Sequence, residues 1–255
     1  MVRTLLARGM LVGIVAGLLS LGFLRVYGEP QVDLAVAFEM QQDLARESAA
    51  KAAGAPVEEH DELVSRETQR GLGLLTAVIV YSAAFGGLFG LAFAFAYGRI
   101  SGTLTPRALA ALLATIAFIV IYLVPSLKYP ANPPSVGASE TIGIRTALYF
   151  IMMAISIAAM IGSIALRRLL TPRLADWNAT LIVAACYIVA VAIAGLLLPA
   201  VNEVPSQFPA VVLWNFRIAS IGAQLIMWTT LGLLFGALTQ RALPGPAGSA
   251  PSSRA

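Results

Sequence analysis

Six stretches of the chain run for about twenty residues or more with hardly a charge, and polar residues return between them. They cover roughly residues 5–24, 71–97, 104–124, 146–166, 179–198 and 218–238. Crossing about 30 Å of hydrocarbon takes about 20 helical residues. None of the stretches contains an acid or a lysine, and Arg8 lies near enough to an end for its side chain to reach the interface. Backbone groups in lipid must bond to one another, so the pattern predicts helices. The expected fold is an all-α polytopic membrane bundle of six transmembrane helices. One membrane domain would cover residues 1–241, with an outer loop at 25–70 and a disordered tail at 242–255.

The long polar interval after the first stretch has a pattern of its own. From Glu29 onward, Val32, Val36, Met40 and Leu44 recur every fourth residue, which predicts an amphipathic helix. Glu39, Asp43 and Glu47 share another of its faces. Gly54 and Pro56 then break the pattern ahead of Glu58, Glu59, His60, Asp61 and Glu62.

Composition agrees with the spans. Apolar residues make up 58% of the 255 residues and charged ones 12%, against about 45–50% and 25% in a soluble domain. That excludes a soluble enzyme and a disordered chain, and a single cysteine excludes a disulfide framework. Arg3 and Arg8 precede the first apolar run as in a secretory signal. No small-residue cleavage pattern follows, however, and Arg25 closes the run, so it reads as a retained span.

Charge orients the bundle. With the N-terminus inside, the inner side carries nine bases and one acid (Asp176), and the outer side eight bases and twelve acids. The short inner loops hold Arg99, Arg107, Arg167, Arg168 and Arg173, as the positive-inside rule requires. Both termini are therefore expected to be cytoplasmic. The net charge of +4 conceals this polarity and does not call for a nucleic-acid partner.

A repeat is suggested by Leu104-Thr105-Pro106-Arg107 and Leu170-Thr171-Pro172-Arg173, each ahead of an outgoing helix. Each of these helices is expected to end at a proline, Pro125 or Pro199. A proline-rich loop then delivers an arginine, Arg145 or Arg217, to the start of the returning helix. Three two-helix hairpins fit this pattern, as does independent use of proline stops and arginine anchors. Gly9, Gly13 and Gly17 share a face, as do Ser82, Gly86 and Gly90, and Gly232 with Gly236. Small residues at this spacing let helix backbones approach in lipid.

Chemistry is sparse. Neither of the two lysines, Lys51 and Lys128, follows a glycine, so no phosphate-binding loop is present. Cys186 is expected to pack within its helix. One imidazole among the four carboxylates of residues 58–62 forms a candidate capture site for a divalent transition metal; a solvated acidic loop is the alternative. The proline-rich outer loops, with Lys128, Asn132, Glu140, Arg145, Asn202, Glu203 and Arg217, are candidates for admitting a cation, as are Glu29 and Glu39. Rigid interfacial turns would account for the same loops. Met152, Met153 and Met160 offer either thioether ligands or core packing.

Several of these segments are similar to a known family. Glu29-Pro30, Ala37-Phe38-Glu39 and the run Leu63-Val64-Ser65-Arg66-Glu67-Thr68-Gln69-Arg70-Gly71-Leu72-Gly73 resemble the CbtA family of predicted cobalt transporter subunits. So do Leu127-Lys128-Tyr129-Pro130-Ala131-Asn132-Pro133-Pro134-Ser135-Val136-Gly137 and Glu140-Thr141-Ile142-Gly143-Ile144-Arg145-Thr146-Ala147. The likeness extends to about Arg241. It implies Co2+ as the transported ion, with no bound cofactor, moving across the bacterial cytoplasmic membrane in connection with cobalamin synthesis. It also implies a small single-span CbtB-type subunit, alongside membrane lipid and room for a homo-oligomer. Many members carry several histidines in the first outer loop, where this chain has only His60.

Two readings follow, a cobalt-uptake subunit and a non-transporting scaffold that assembles a partner through free glycine faces. An intramembrane enzyme lacks a nucleophile–base pair.

Overall fold

The computed structural model describes residues 1–53, 69–99 and 104–243. Its elements are helices throughout. We number them α1 (Val2–Tyr27), α2 (Glu29–Ala52), α3 (Leu74–Ala96), α4 (Pro106–Lys128), α5 (Ile142–Leu170), α6 (Asp176–Leu197) and α7 (Ala210–Gln240). Six of them are long and apolar enough to cross a membrane, and α2 is the exception. The expected amphipathic helix is present as α2. It follows α1 across the single residue Gly28, whose N–H still bonds to Leu24 O at 2.8 Å. Pro30, in the first turn of α2, has no N–H to give back to α1, so the two helices separate there. An ion pair between Arg25 and Glu29, at 2.8 Å, crosses the junction.

The span ends differ from expectation in informative ways. α4 does not stop at Pro125 but continues to Lys128. It widens into a π-helical stretch at Phe118–Leu123, and the N–H of Val124 reaches back to Ile119 O. The wider turn comes just before the proline, which offers no donor of its own. α6, by contrast, ends at Leu197, before Pro199. α5 is longer than its apolar stretch, with Arg145 in its opening turn and Arg167 and Arg168 in its last, where cations suit the helix dipole. α7 begins at Ala210 rather than at Ile218, so Arg217 lies within it. α4 and α6 thus end differently at their prolines.

The chain divides into two compact units, one of Met1–Ile116 with Ile218–Ala255, the other of Ala117–Arg217. In the first, α1 and α3 meet along their small residues. A Cβ added at Gly9 would collide with Gly86 O, one at Gly13 with Ser82 O, and one at Gly17 with the Ser82 side chain. Gly232 and Gly236 meet Ala114 and Ala110 of α4 in the same way. These glycine faces are therefore filled within the chain, which corrects the expectation that they stand free for partner helices. Phe89, Phe93, Trp228 and Phe235 pack edge to face beside them, and Ser20 Oγ donates to Ala223 O at 2.9 Å.

In the second unit α5 and α6 are joined by a buried hydrogen bond between the Ser156 and Tyr187 hydroxyls at 2.7 Å. Met152 is buried beside them in α5, as a core filler would be. Cys186 is exposed on α6, which overturns its assignment to packing. The outward face of α6 suits lipid, where an apolar side chain gains nothing by burial.

A braced cavity between two proline-rich loops

The site is built within the Ala117–Arg217 unit, from segments that the sequence marks by proline. The loop after α4 turns at Pro133–Val136, where Val136 N–H bonds back to Pro133 O at 3.3 Å. Ser135 has φ +67° and Gly137 φ +114°. Gly137 is required twice over, because a Cβ there would enter a left-handed backbone and collide with the guanidinium of Arg145. With that room, Arg145 Nη2 donates to Ala138 O at 3.0 Å.

Glu203, from the second loop, reaches the same turn. Its Oε2 accepts from Ala138 N–H at 2.9 Å and from the Thr141 hydroxyl at 2.8 Å, and lies 3.5 Å from Arg145 Nε. These bonds, first the backbone one, then Thr141, and then the Arg145 charge, hold its carboxyl below the ordinary glutamate value. Glu203 is thus a carboxylate at neutral pH. Tyr129 adds a second tie, donating to Pro199 O at 2.8 Å, while burial pushes its phenol up and keeps it a donor. Arg217, one turn and more into α7, closes the arrangement by donating to Asn132 Oδ1 at 2.9 Å and Ala131 O at 3.4 Å.

These ties frame an open-sided cavity of about 490 Å³. Five of the expected residues line it, namely Asn132, Arg145, Asn202, Glu203 and Arg217. The two loops are tied to each other by these bonds. Four expected residues stand elsewhere. Lys128 sits over the Tyr129 ring at 5.9 Å, and Glu140 is exposed in a short turn. Glu29 pairs with Arg25, and Glu39 lies on α2, both in the other unit. Glu58, Glu59, His60, Asp61 and Glu62 fall outside the described residues. Among the described residues no three His, Cys, Asp or Glu side chains converge on a point.

Tyr122, Ser126, Tyr129 and Tyr149 line the cavity without having been singled out from the sequence. Their signal was present in the spacing: Tyr122 and Ser126 lie four residues apart near the end of α4 with Tyr129 just beyond it, and Arg145 and Tyr149 lie four apart on α5. An aromatic residue near a span end is also what an interfacial anchor looks like, so spacing alone does not separate the two.

The fold and this loop network define a multi-pass helical membrane protein. Residues 2–240 match the CbtA family, described as "Probable cobalt transporter subunit", and the chain belongs to that family. No curated protein and no solved structure matches it significantly. The family makes cobalt the substrate and the chain a subunit with partners, rather than an enzyme.

Proposed function

We propose that the chain is the membrane-spanning subunit of a cobalt-uptake system in the bacterial cytoplasmic membrane, supplying cobalamin synthesis. Both termini face the cytoplasm, and a small single-span CbtB-type subunit works with it. The observation that carries this reading is the cavity: two loops on the same side of the spans are braced by Glu203 and Arg217 around a space of mixed polar and apolar lining. A scaffold needs no such space, and the glycine faces that would recruit a partner are filled within the chain. The positive-inside bias places these loops outside, on the same side as the acidic residues 58–62. Those carboxylates raise the local concentration of an arriving cation, and His60 offers it a nitrogen ligand.

The test is cobalt accumulation by whole cells at nanomolar supply, with and without the chain and with and without its partner subunit. Uptake that needs the chain supports the reading. Equal uptake and equal cobalamin output without it would reject the reading in favour of a scaffold for some other complex.

A further inference from the structure

We propose that the cavity of the Ala117–Arg217 unit binds a small organic carboxylate, and that Arg217 receives it. The charges lining the space are two guanidiniums, Arg145 and Arg217, and one carboxylate, Glu203. Glu203 Oε2 is already engaged by Ala138 N–H, Thr141 and Arg145, so the Arg145–Glu203 pair is internally neutral. The surplus charge belongs to Arg217. Its bonds run only to neutral oxygens, Asn132 Oδ1 and Ala131 O, and among the described residues no carboxylate lies within ion-pair range of it. A guanidinium carries five N–H donors, so donors remain for a ligand.

The balance decides the ligand class. A divalent transition metal prefers imidazole, thiolate or free carboxylate, and here it would meet a net positive wall whose one carboxylate already has its Oε2 bonded and a guanidinium beside it. A planar carboxylate suits a guanidinium edge in both charge and shape. Asn202 and the Tyr149 ring complete walls of mixed character, and about 490 Å³ lies within the roughly 300–1,000 Å³ typical of small-molecule sites. The carboxylate could arrive free or already holding a metal. Where the transport reading holds, the second case means that cobalt enters this cavity as a chelate and not as the bare ion.

The test is binding of citrate, of the cobalt–citrate complex and of inorganic phosphate to the purified full chain in lipid nanodiscs, read by equilibrium dialysis. Citrate should bind saturably. Arg217→Gln should weaken it about tenfold or more, the scale of a lost charged hydrogen bond, and Arg217→Lys should restore part of the loss. Asn202→Asp adds a carboxylate at an exposed lining position and should also weaken citrate binding, which keeps the test valid if the arginine variants misfold. Tighter binding of cobalt–citrate than of citrate would identify the chelate as the ligand; equal binding would identify the free acid. No citrate binding, binding indifferent to both positions, or phosphate competing as well as citrate would overturn the proposal. Because dialysis needs no transport, a failure of uptake in cells would leave this result standing.

Discussion

Arg217 Nη2 donates to Asn132 Oδ1 at 2.9 Å, joining residues 85 positions apart in sequence. The bond ties the opening turns of α7 to the loop that follows α4. It depends on α7 starting at Ala210, since a helix starting at Ile218 would leave the arginine in the preceding loop. The Arg145–Glu203 pair makes the matching tie between α5 and the loop that follows α6. Two crossed ties of this kind hold the cavity open and keep its walls in place.

Gly137→Ala is expected to damage this site more than its size suggests. The backbone term alone is about 1–3 kcal/mol, and the new methyl also displaces the Arg145 guanidinium. Gly98→Ala is the control: Gly98 has φ +81° but nothing within 4 Å of its Cβ position. Both variants should melt earlier than the parent. Only Gly137→Ala should also lose cobalt uptake at equal membrane abundance.

The α1–α3 seam gives a second contrast. Gly86→Leu should cost about 1–3 kcal/mol or more, as overpacking does, because a side chain there meets the Gly9 carbonyl and Gly13. Gly22→Ala, in the same α1 but with nothing within 4 Å, should be neutral or stabilise by up to about 1 kcal/mol. Thermal unfolding of the detergent-purified protein measures both.

Acid should loosen the loops. The carboxyl of Glu203 is held below its ordinary value of 4.5, so its contribution is complete above that value and is lost as pH falls through the lower folded-state value. The melting temperature of the parent should therefore fall in this acid range more steeply than that of Glu203→Gln. The variant should be less stable at neutral pH, and the two curves should converge in acid. Parallel curves would show that Glu203 does not carry the charge described.

Neutralising Glu58, Glu59, Asp61 and Glu62 together with His60→Ala should raise the cobalt concentration for half-maximal uptake by about tenfold, the low end of electrostatic steering. The maximal rate should stay unchanged. A lower maximal rate at unchanged half-saturation would place these residues in the translocation step instead of capture.

The six spans were legible because lipid imposes a length and an apolar composition that few other structures need. Their ends were less so. Pro125 reads as a stop, yet a widened turn at Phe118–Leu123 carries α4 past it. Arg217 reads as a boundary because it is charged, yet Val211, Val212, Leu213 and Trp214 already continue the helix ahead of it. At the site, Asn132, Arg145, Asn202, Glu203 and Arg217 stood out as polar residues in or beside proline-rich loops. Tyr122, Tyr129 and Tyr149 did not, because a tyrosine at a span end has an ordinary use as an interfacial anchor. The pairing of Arg145 with Glu203 was not legible either. It depends on a left-handed Gly137 that lets a guanidinium approach the backbone.

We propose inward movement of cobalt by this chain. Its most direct test is accumulation of radiolabelled cobalt at nanomolar supply in cells lacking the native gene. These would carry the parent chain or Arg217→Gln at matched membrane abundance, each with the partner subunit. Uptake is expected with the parent, a severe loss with Arg217→Gln, and background levels without the chain. Accumulation that is the same in all three would contradict it.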